Sequence, residues 1–286
     1  MNGSSVHRFL FEHLDIRGAF VRLGECWQQM QAGRGYAAPV AELLGEMAAV
    51  TALIAEQAKQ DSRLTFQLRS RGPISLLVMD CNSELQMRGM ARAGADVAPA
   101  PADQLLGAQA GGQLAMTLDL PLAREPYQSI VPLVGDSLAA IFEHYLEQSE
   151  QLPSRLFLSA SSEAAACLFL QKLPQADAQD VDGWNRICRL AESVKADELQ
   201  ALSVESLLTR LFHQETVRLY EPRTVVYHCP EDREKIRGMI LSLGREEAEH
   251  ILNEQGAIVV QDEICNREYR FEAAEISELF TPRPLH

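Results

Sequence analysis

Pro39 to Ala58 is the longest strongly apolar run in the chain, and it carries three acids, Glu42, Glu46 and Glu56. Three charges in twenty residues are too many for a helix centred in lipid. Yet Val40, Leu43, Leu44, Met47, Val50, Thr51 and Ile54 recur at three- and four-residue steps, the spacing of a helix with one face turned to a protein core. Pro39 suits a first helical turn. The first 60 residues as a whole read as helical, and the N-terminal sequence MNGSSVHRFLFEH lacks the regions of a signal peptide.

A helix of that kind needs a core to enter, and composition supplies one. The chain has 286 residues, 47% apolar and 23% charged, enough for one large domain or two to three small ones. Its formal net charge of −14 repels phosphate backbones and anionic lipid, so neither nucleic acid nor membrane is an expected partner. A cytoplasmic location is expected. The six cysteines are dispersed with no C-x-x-C pair; Cys26, Cys81, Cys167 and Cys188 have apolar neighbours and read as buried thiols.

From residue 64 the period changes. Leu64 to Leu68 alternates, Ser70-Arg71-Gly72-Pro73 is a turn, and Ile74 to Met79 is a short apolar strand. Further strands are expected at 85–91, 113–120, 127–134, 155–159 and 166–171, with an irregular excursion over 94–112. One helix interrupts them, capped by Asp136 and running to about Gln151. Strands around a helix, with helices at one end, indicate an α+β fold: a mixed-sheet core domain with helices over 1–175. The polar stretch 175–183 reads as a boundary. A helical linker follows over 176–223, with Val194, Leu199, Leu202, Leu207, Leu208, Leu211 and Phe212 on one side. A small C-terminal α/β unit, 224–286, reads as strand 224–228, helices 231–242 and 245–254, a hairpin through 257–271 and a short helix to Phe280. Its core candidates are Ile236, Met239, Ile240, Leu243, Ile251, Leu252, Ile258, Val260, Ile264, Tyr269 and Phe271.

A search for catalytic motifs finds no nucleophile elbow, P-loop, zinc-protease helix or dinucleotide fingerprint. His7, His13, His144, His213, His228, His250 and His286 form no spaced set, and the paired acids read as solvated faces. No catalytic residue is expected, and a binding protein is favoured over an enzyme. Arg88-Gly89 and Arg92 lie inside an apolar strand, which suggests a packed arginine pair or a turn.

Several segments, in order along the chain, carry a family resemblance: Met87-Arg88-Gly89-Met90-Ala91-Arg92, Gly135-Asp136-Ser137-Leu138-Ala139, Ser149 to Phe157, Leu207 to His213, and Tyr220-Glu221-Pro222. Together they resemble the heat-shock protein 33 family of redox-regulated holdase chaperones, from about His7 to Phe271. The resemblance implies a core domain, a helical linker packed over it, a C-terminal redox-switch domain, and ATP-independent binding of unfolded or partly unfolded client proteins. In that family a C-terminal C-x-C and a later C-x-x-C bind zinc when reduced. Oxidation forms two disulfides, releases the metal and unfolds the unit.

This chain departs from that pattern. Cys229 and Cys265 stand at the first and last ligand positions, and Glu231 and Asp262 at the middle two. Structural tetrahedral zinc overwhelmingly prefers cysteine and histidine, so the expected unit is metal-free and held by burial. Zinc on Cys229, Glu231, Asp262 and Cys265 is the alternative, with His228 a competing ligand. The family's neighbouring-thiol disulfides cannot form; one bond between Cys229 and Cys265 can, if the fold brings their α-carbons within about 7 Å. The expected protein is a holdase active constitutively, or gated by unfolding of its linker, with clients and a possible homodimer meeting the apolar face of Val194 to Phe212. A residual redox response through Cys229 and Cys265 is the first alternative. The rival from another class is an anion-binding enzyme or regulator using Arg88 and Arg92.

Overall fold

The computed structural model describes residues 3–58, 61–121 and 123–281; His286 lies outside the described residues. The chain separates into two compact units, Met1–His228 and Cys229–His286.

The first unit opens with strands, not helices. β1 (Ser5–Phe11) and β2 (Ile16–Leu23) form an antiparallel hairpin. Both carry apolar residues on both faces: Val6, Ala19, Val21 and Leu23 enter one core and Phe9, Phe11, Ile16 and Phe20 another. A strand buried on two sides has no polar alternation to betray it, which is why this stretch reads as helical from sequence. Gly18 is fitted to the hairpin, because a Cβ there would lie 2.2 Å from the Phe9 ring.

After α1 (Glu25–Gln31), α2 (Ala38–Gln57) is the apolar run, with proline in its first turn. It passes between two sheets and is buried on nearly every side. By length and composition α2 alone among the described helices could cross a membrane; its burial inside the unit explains that composition. Gly45 permits the close approach, since a Cβ there would meet that of Ala160 at 2.7 Å.

β3 (Arg63–Arg69), β4 (Ile74–Asn82) and β5 (Gln86–Ala93) follow. Within the 94–112 excursion lies a one-turn helix, α3 (Ala102–Leu105), which buries Ala102 and Leu105. Then come β6 (Gln113–Asp119), β7 (Tyr127–Val131) and α4 (Leu138–Glu150). The cap of α4 is Ser137, one residue later than expected: its Oγ accepts from the Ala140 N–H at 3.2 Å. β8 (Ser154–Ala160) and β9 (Ala165–Lys172) complete the strand set. The order β12-β5-β4-β3-β6-β7 defines one sheet, in which β12 (Val226–Tyr227) pairs parallel with β5 and the remaining pairs are antiparallel. The other sheet runs β10-β1-β2-β9-β8, with β10 (Val217–Leu219) and β11 (Arg223–Thr224) both on β1. The fold is α+β with a mixed sheet.

The polar stretch 175–183 is a surface crossing with a single turn, α5 (Ala176–Gln179). Beyond it α6 (Gly183–Ala191), α7 (Ala196–Ala201) and α8 (Val204–Phe212) lie on the sheet face that α2 does not use. Residues 224–227, expected to open the C-terminal unit, instead lie in the first unit, with Thr224 paired to β1 and Val226–Tyr227 to β5.

The second unit contains α9 (Arg233–Leu243), α10 (Arg245–Gln255), the hairpin β13 (Ile258–Asp262) and β14 (Arg267–Phe271), and α11 (Ala273–Leu279). Ile236, Ile240, Ala248, Ile258, Tyr269, Phe271 and Ile276 are its buried core, with Ile251, Leu252 and Val260 partly buried against it. Met239 and Leu243, expected in this core, are each 51% exposed. They lie three and seven residues beyond Ile236, beside the stripe that Ile236 and Ile240 bury, and the small unit does not extend far enough to cover them. Ile264 is half-buried in the hairpin turn.

Candidate functional site

Two places gather the residues singled out from sequence. In the first unit these are the helices α6 to α8 over the β1-β2-β9 face. Leu199, Leu207, Leu208, Leu211 and Phe212 are buried there beside Phe9, Phe11, Ile16, Phe20, Leu168 and Leu170, while Val194 and Leu202 are partly buried at the margin. Phe212 meets Phe11 edge-on with ring centroids 5.0 Å apart, the favoured aromatic arrangement.

Around this apolar contact runs a rim of polar ties. Gln200 Nε2 donates to Ser159 Oγ at 2.6 Å, and Ser161 Oγ donates to Gln200 Oε1 at 2.7 Å. Arg22 Nη1 donates to the Leu202 carbonyl at 2.7 Å. Arg210 pairs with Glu198 at 2.5 Å and donates to the Ser193 carbonyl at 3.0 Å. Three helices of six to nine residues are too short to persist in water by themselves. Their order comes from the face they cover.

His7 was missed as a member of this region. It stands on the β1 face that carries Phe9 and Phe11; its Nε2 is 3.0 Å from Ser5 Oγ and its buried Nδ1 has no hydrogen-bond partner. Burial lowers its pKa, with Glu205 opposing that shift and Arg22 adding to it. An isolated histidine in a sequence gives no sign of what will cover it.

Arg88, Gly89 and Arg92 lie along β5, an unbroken strand rather than a turn. Gly89 is required by packing: a Cβ would meet Met79 Sδ and Cε at 2.6 Å. Arg88 Nε contacts Asp80 Oδ2 at 3.1 Å, and Arg63 grips the same carboxylate with two nitrogens. Burial pushes the Asp80 carboxyl up, but the hydrogen bonds and charges of Arg63 and Arg88 outweigh it and hold the group below the ordinary aspartate range. The anion expected beside Arg88 is thus the chain's own Asp80. Arg92 is exposed. The proposed two-arginine anion pocket is corrected accordingly.

In the second unit Cys229 and Cys265 are joined as a disulfide with α-carbons 5.6 Å apart, inside the range such a bond requires. Cys265 is buried and lies in the turn of the β13–β14 hairpin. Asp262 Oδ1 accepts from the N–H groups of Ile264 and Cys265, both at 3.2 Å, and so shapes that turn. Glu231 and the side chain of His228 are exposed. Two carboxylates in place of thiolates, one of them, Asp262, accepting from backbone N–H groups and the other, Glu231, exposed, are a poor match to the cysteine and histidine donors that structural zinc prefers. Among the described residues no three His, Cys, Asp or Glu side chains converge on a metal position. Cys26, Cys81, Cys167 and Cys188 are buried free thiols; burial pushes all four up, Cys81 to about 12 and Cys188 to about 11, so they stay unreactive at neutral pH.

A family model described as Hsp33 protein matches residues 4–272. A 33 kDa chaperonin of Ectopseudomonas mendocina is 42% identical over 278 residues, covering 96% of this chain and 94% of the relative. That of Chromobacterium violaceum is 38% identical over 276 residues, with 96% and 93% covered. The crystal structure of the 33 kDa chaperonin from Thermotoga maritima superimposes with a TM-score of 0.78 at 24% identity, covering 96% of this chain and 97% of that one; it supports the fold. With a match across nearly its whole length and relatives at about two-fifths identity, the chain belongs to the Hsp33 family.

Proposed function

We propose that this protein is an ATP-independent holdase that binds unfolding polypeptides and keeps them from aggregating, acting in the cytoplasm and without a zinc switch. The observation that carries the reading is the apolar cover: short helices hide Phe9, Phe11, Phe20, Leu168 and Leu170, and their own leucines face the same seam. Lifting them uncovers two apolar surfaces at once, and exposed apolar surface of that kind recruits unfolded chains. It also favours a homodimer through the same seam. Family membership and relatives named as chaperonins support the assignment. Heat or acid that opens α6 to α8 is the proposed gate, since the residues at the zinc positions do not fit the metal.

The test is light scattering of a heat-unfolding client mixed with reduced, chelator-treated protein in the absence of ATP. Suppression of scattering is expected. Absence of suppression in the reduced, oxidised and acid-treated protein alike would sink the holdase reading.

A further inference from the structure

We propose that the first unit binds a compact diphosphate anion in a cleft between the β3–β4 turn and the 107–112 loop, held by Arg69 and Arg71. The cleft, of about 690 Å³, is lined by Arg69, Ser70, Arg71, Gln109, Ala110 and Gly111, with no acidic side chain among them. Both arginines are exposed, and among the described residues neither guanidinium meets a carboxylate or a hydrogen-bond acceptor. That sets them apart from most arginines of this chain. Arg8, Arg63, Arg88, Arg186, Arg210 and Arg218 each meet one of its own carboxylates, and 40 acids against 26 bases make such partners plentiful. Arg88 lies in the same sheet but is already neutralised by Asp80.

The fold holds the two arginines together. Arg69 ends β3, opposite Gln113 of β6, and Arg71 stands in the turn that leads to β4. Ser70 Oγ accepts from the Gly72 N–H at 2.7 Å and fixes that turn. Gly72 lies so close to the loop that a Cβ on it would stand 2.7 Å from the Gly107 Cα. The Gly107 carbonyl in turn accepts from the Ala110 and Gly112 N–H groups at 2.9 and 2.7 Å. Turn and loop are thus packed backbone against backbone. The cleft exists before a ligand arrives, which leaves little ordering cost for binding.

Two uncompensated guanidinium groups on one cleft repel each other, and an anion between them removes that repulsion. The guanidinium fork matches phosphate oxygens two at a time, and Gln109 brings an amide donor to the same opening. Two forks favour a ligand with more than one charge, and a diphosphate offers each arginine its own phosphoryl group. Pockets for larger organic ligands are lined mostly by apolar and aromatic side chains. Here no aromatic ring is present to stack a nucleoside base, so the lining suits the bare anion. The formal net charge of −14 opposes approach from afar, but beyond about 8 Å it is screened at physiological salt. The local arginine pair then decides.

The experiment uses the full chain and no client, so its outcome is independent of the holdase reading. Sodium pyrophosphate is titrated calorimetrically into the protein in phosphate-free buffer at low salt, and thermal unfolding is followed in parallel. The expected result is one saturable site and an unfolding midpoint that climbs with ligand concentration. Arg69→Ala and Arg71→Ala should each weaken binding at least about tenfold, the loss that follows removal of a charge-assisted hydrogen bond. Arg71→Lys keeps the charge without the fork and should recover part of that loss. Arg189→Ala, which removes an exposed arginine of α6, should leave binding unchanged. No saturation by about 10 mM, an equal loss in Arg189→Ala and Arg71→Ala, or tighter binding of citrate or ADP than of pyrophosphate overturns the proposal.

Discussion

The cover over the β1-β2-β9 face makes Leu207→Ala the most informative substitution. Leu207 has no exposed surface and belongs to the cluster between helices and sheet, not to the core around α2. Truncating a buried leucine costs about 2–5 kcal/mol, the spread reflecting how far the site collapses. Because α8 touches one face of the sheet, that loss weighs on opening of the cover, whereas the inter-sheet core is untouched. At about 1.4 kcal/mol per tenfold, the low end alone raises the open population roughly thirtyfold. Amide exchange across Val204–Phe212 should therefore accelerate by at least that factor while exchange within Ala38–Gln57 stays unchanged. In parallel, light scattering should show the variant protecting a heat-unfolding client at temperatures where the parent protects weakly. Equal acceleration in α8 and α2 would show that the cover does not open separately. Acceleration confined to α8 with no gain in client protection would refute the reasoning that the uncovered face binds clients.

Four other outcomes are expected. Asp80→Asn leaves Arg63 and Arg88 without their carboxylate, so urea unfolding should show a loss of about 1.5–3 kcal/mol at pH 7, the usual worth of hydrogen bonds to a charged group. Since the Asp80 pKa is lowered in the folded state, this contribution is present above the ordinary aspartate value of about 3.8 and fades as the pH falls through the depressed one. Glu46 behaves oppositely: burial, then the charge of Glu42, raises it to about 7, so the folded state holds an extra proton and stability declines as the pH climbs from about 4.5 to 7. Glu46→Gln should unfold at higher urea than the parent at pH 8, by on the order of 2 kcal/mol, and match it near pH 4.5. For His7, the depressed folded pKa means full stability above about 6.5 and loss as the pH falls below it. Protection factors in α8, taken relative to the intrinsic exchange rate at each pH, should therefore fall between pH 7.5 and 5.5, and His7→Gln should flatten that difference; an unchanged pH response would rule out the imidazole. Finally, a chelator added to the reduced protein should leave exchange in β13 and β14 unaltered, and a chelator-induced increase would reinstate a structural metal.

Much of the fold was legible because local chemistry dictates it. Pro39 and the apolar steps to Ile54 specify α2, alternation specifies β3, and the hairpin expected through 257–271 is β13–β14. The apolar side of 194–212 was equally plain, as a helical face of that kind must be covered. What sequence could not supply were facts belonging to pairs of elements. β1 and β2 are strands because two cores meet across them, and two-sided burial erases the alternation that marks a strand. Whether Met239 or Ile240 enters the small core depends on how far one hairpin reaches around α9. The anion beside Arg88 is Asp80 because the β4–β5 register sets them opposite each other. The same division holds at the cysteines. Sequence alone showed that two of four ligand positions hold carboxylates, which argues against zinc through donor chemistry. Only the tertiary structure decided that the remaining thiols lie 5.6 Å apart at their α-carbons and that Asp262 caps the turn, because through-space distance between residues 36 apart is set by packing and not by the chain between them.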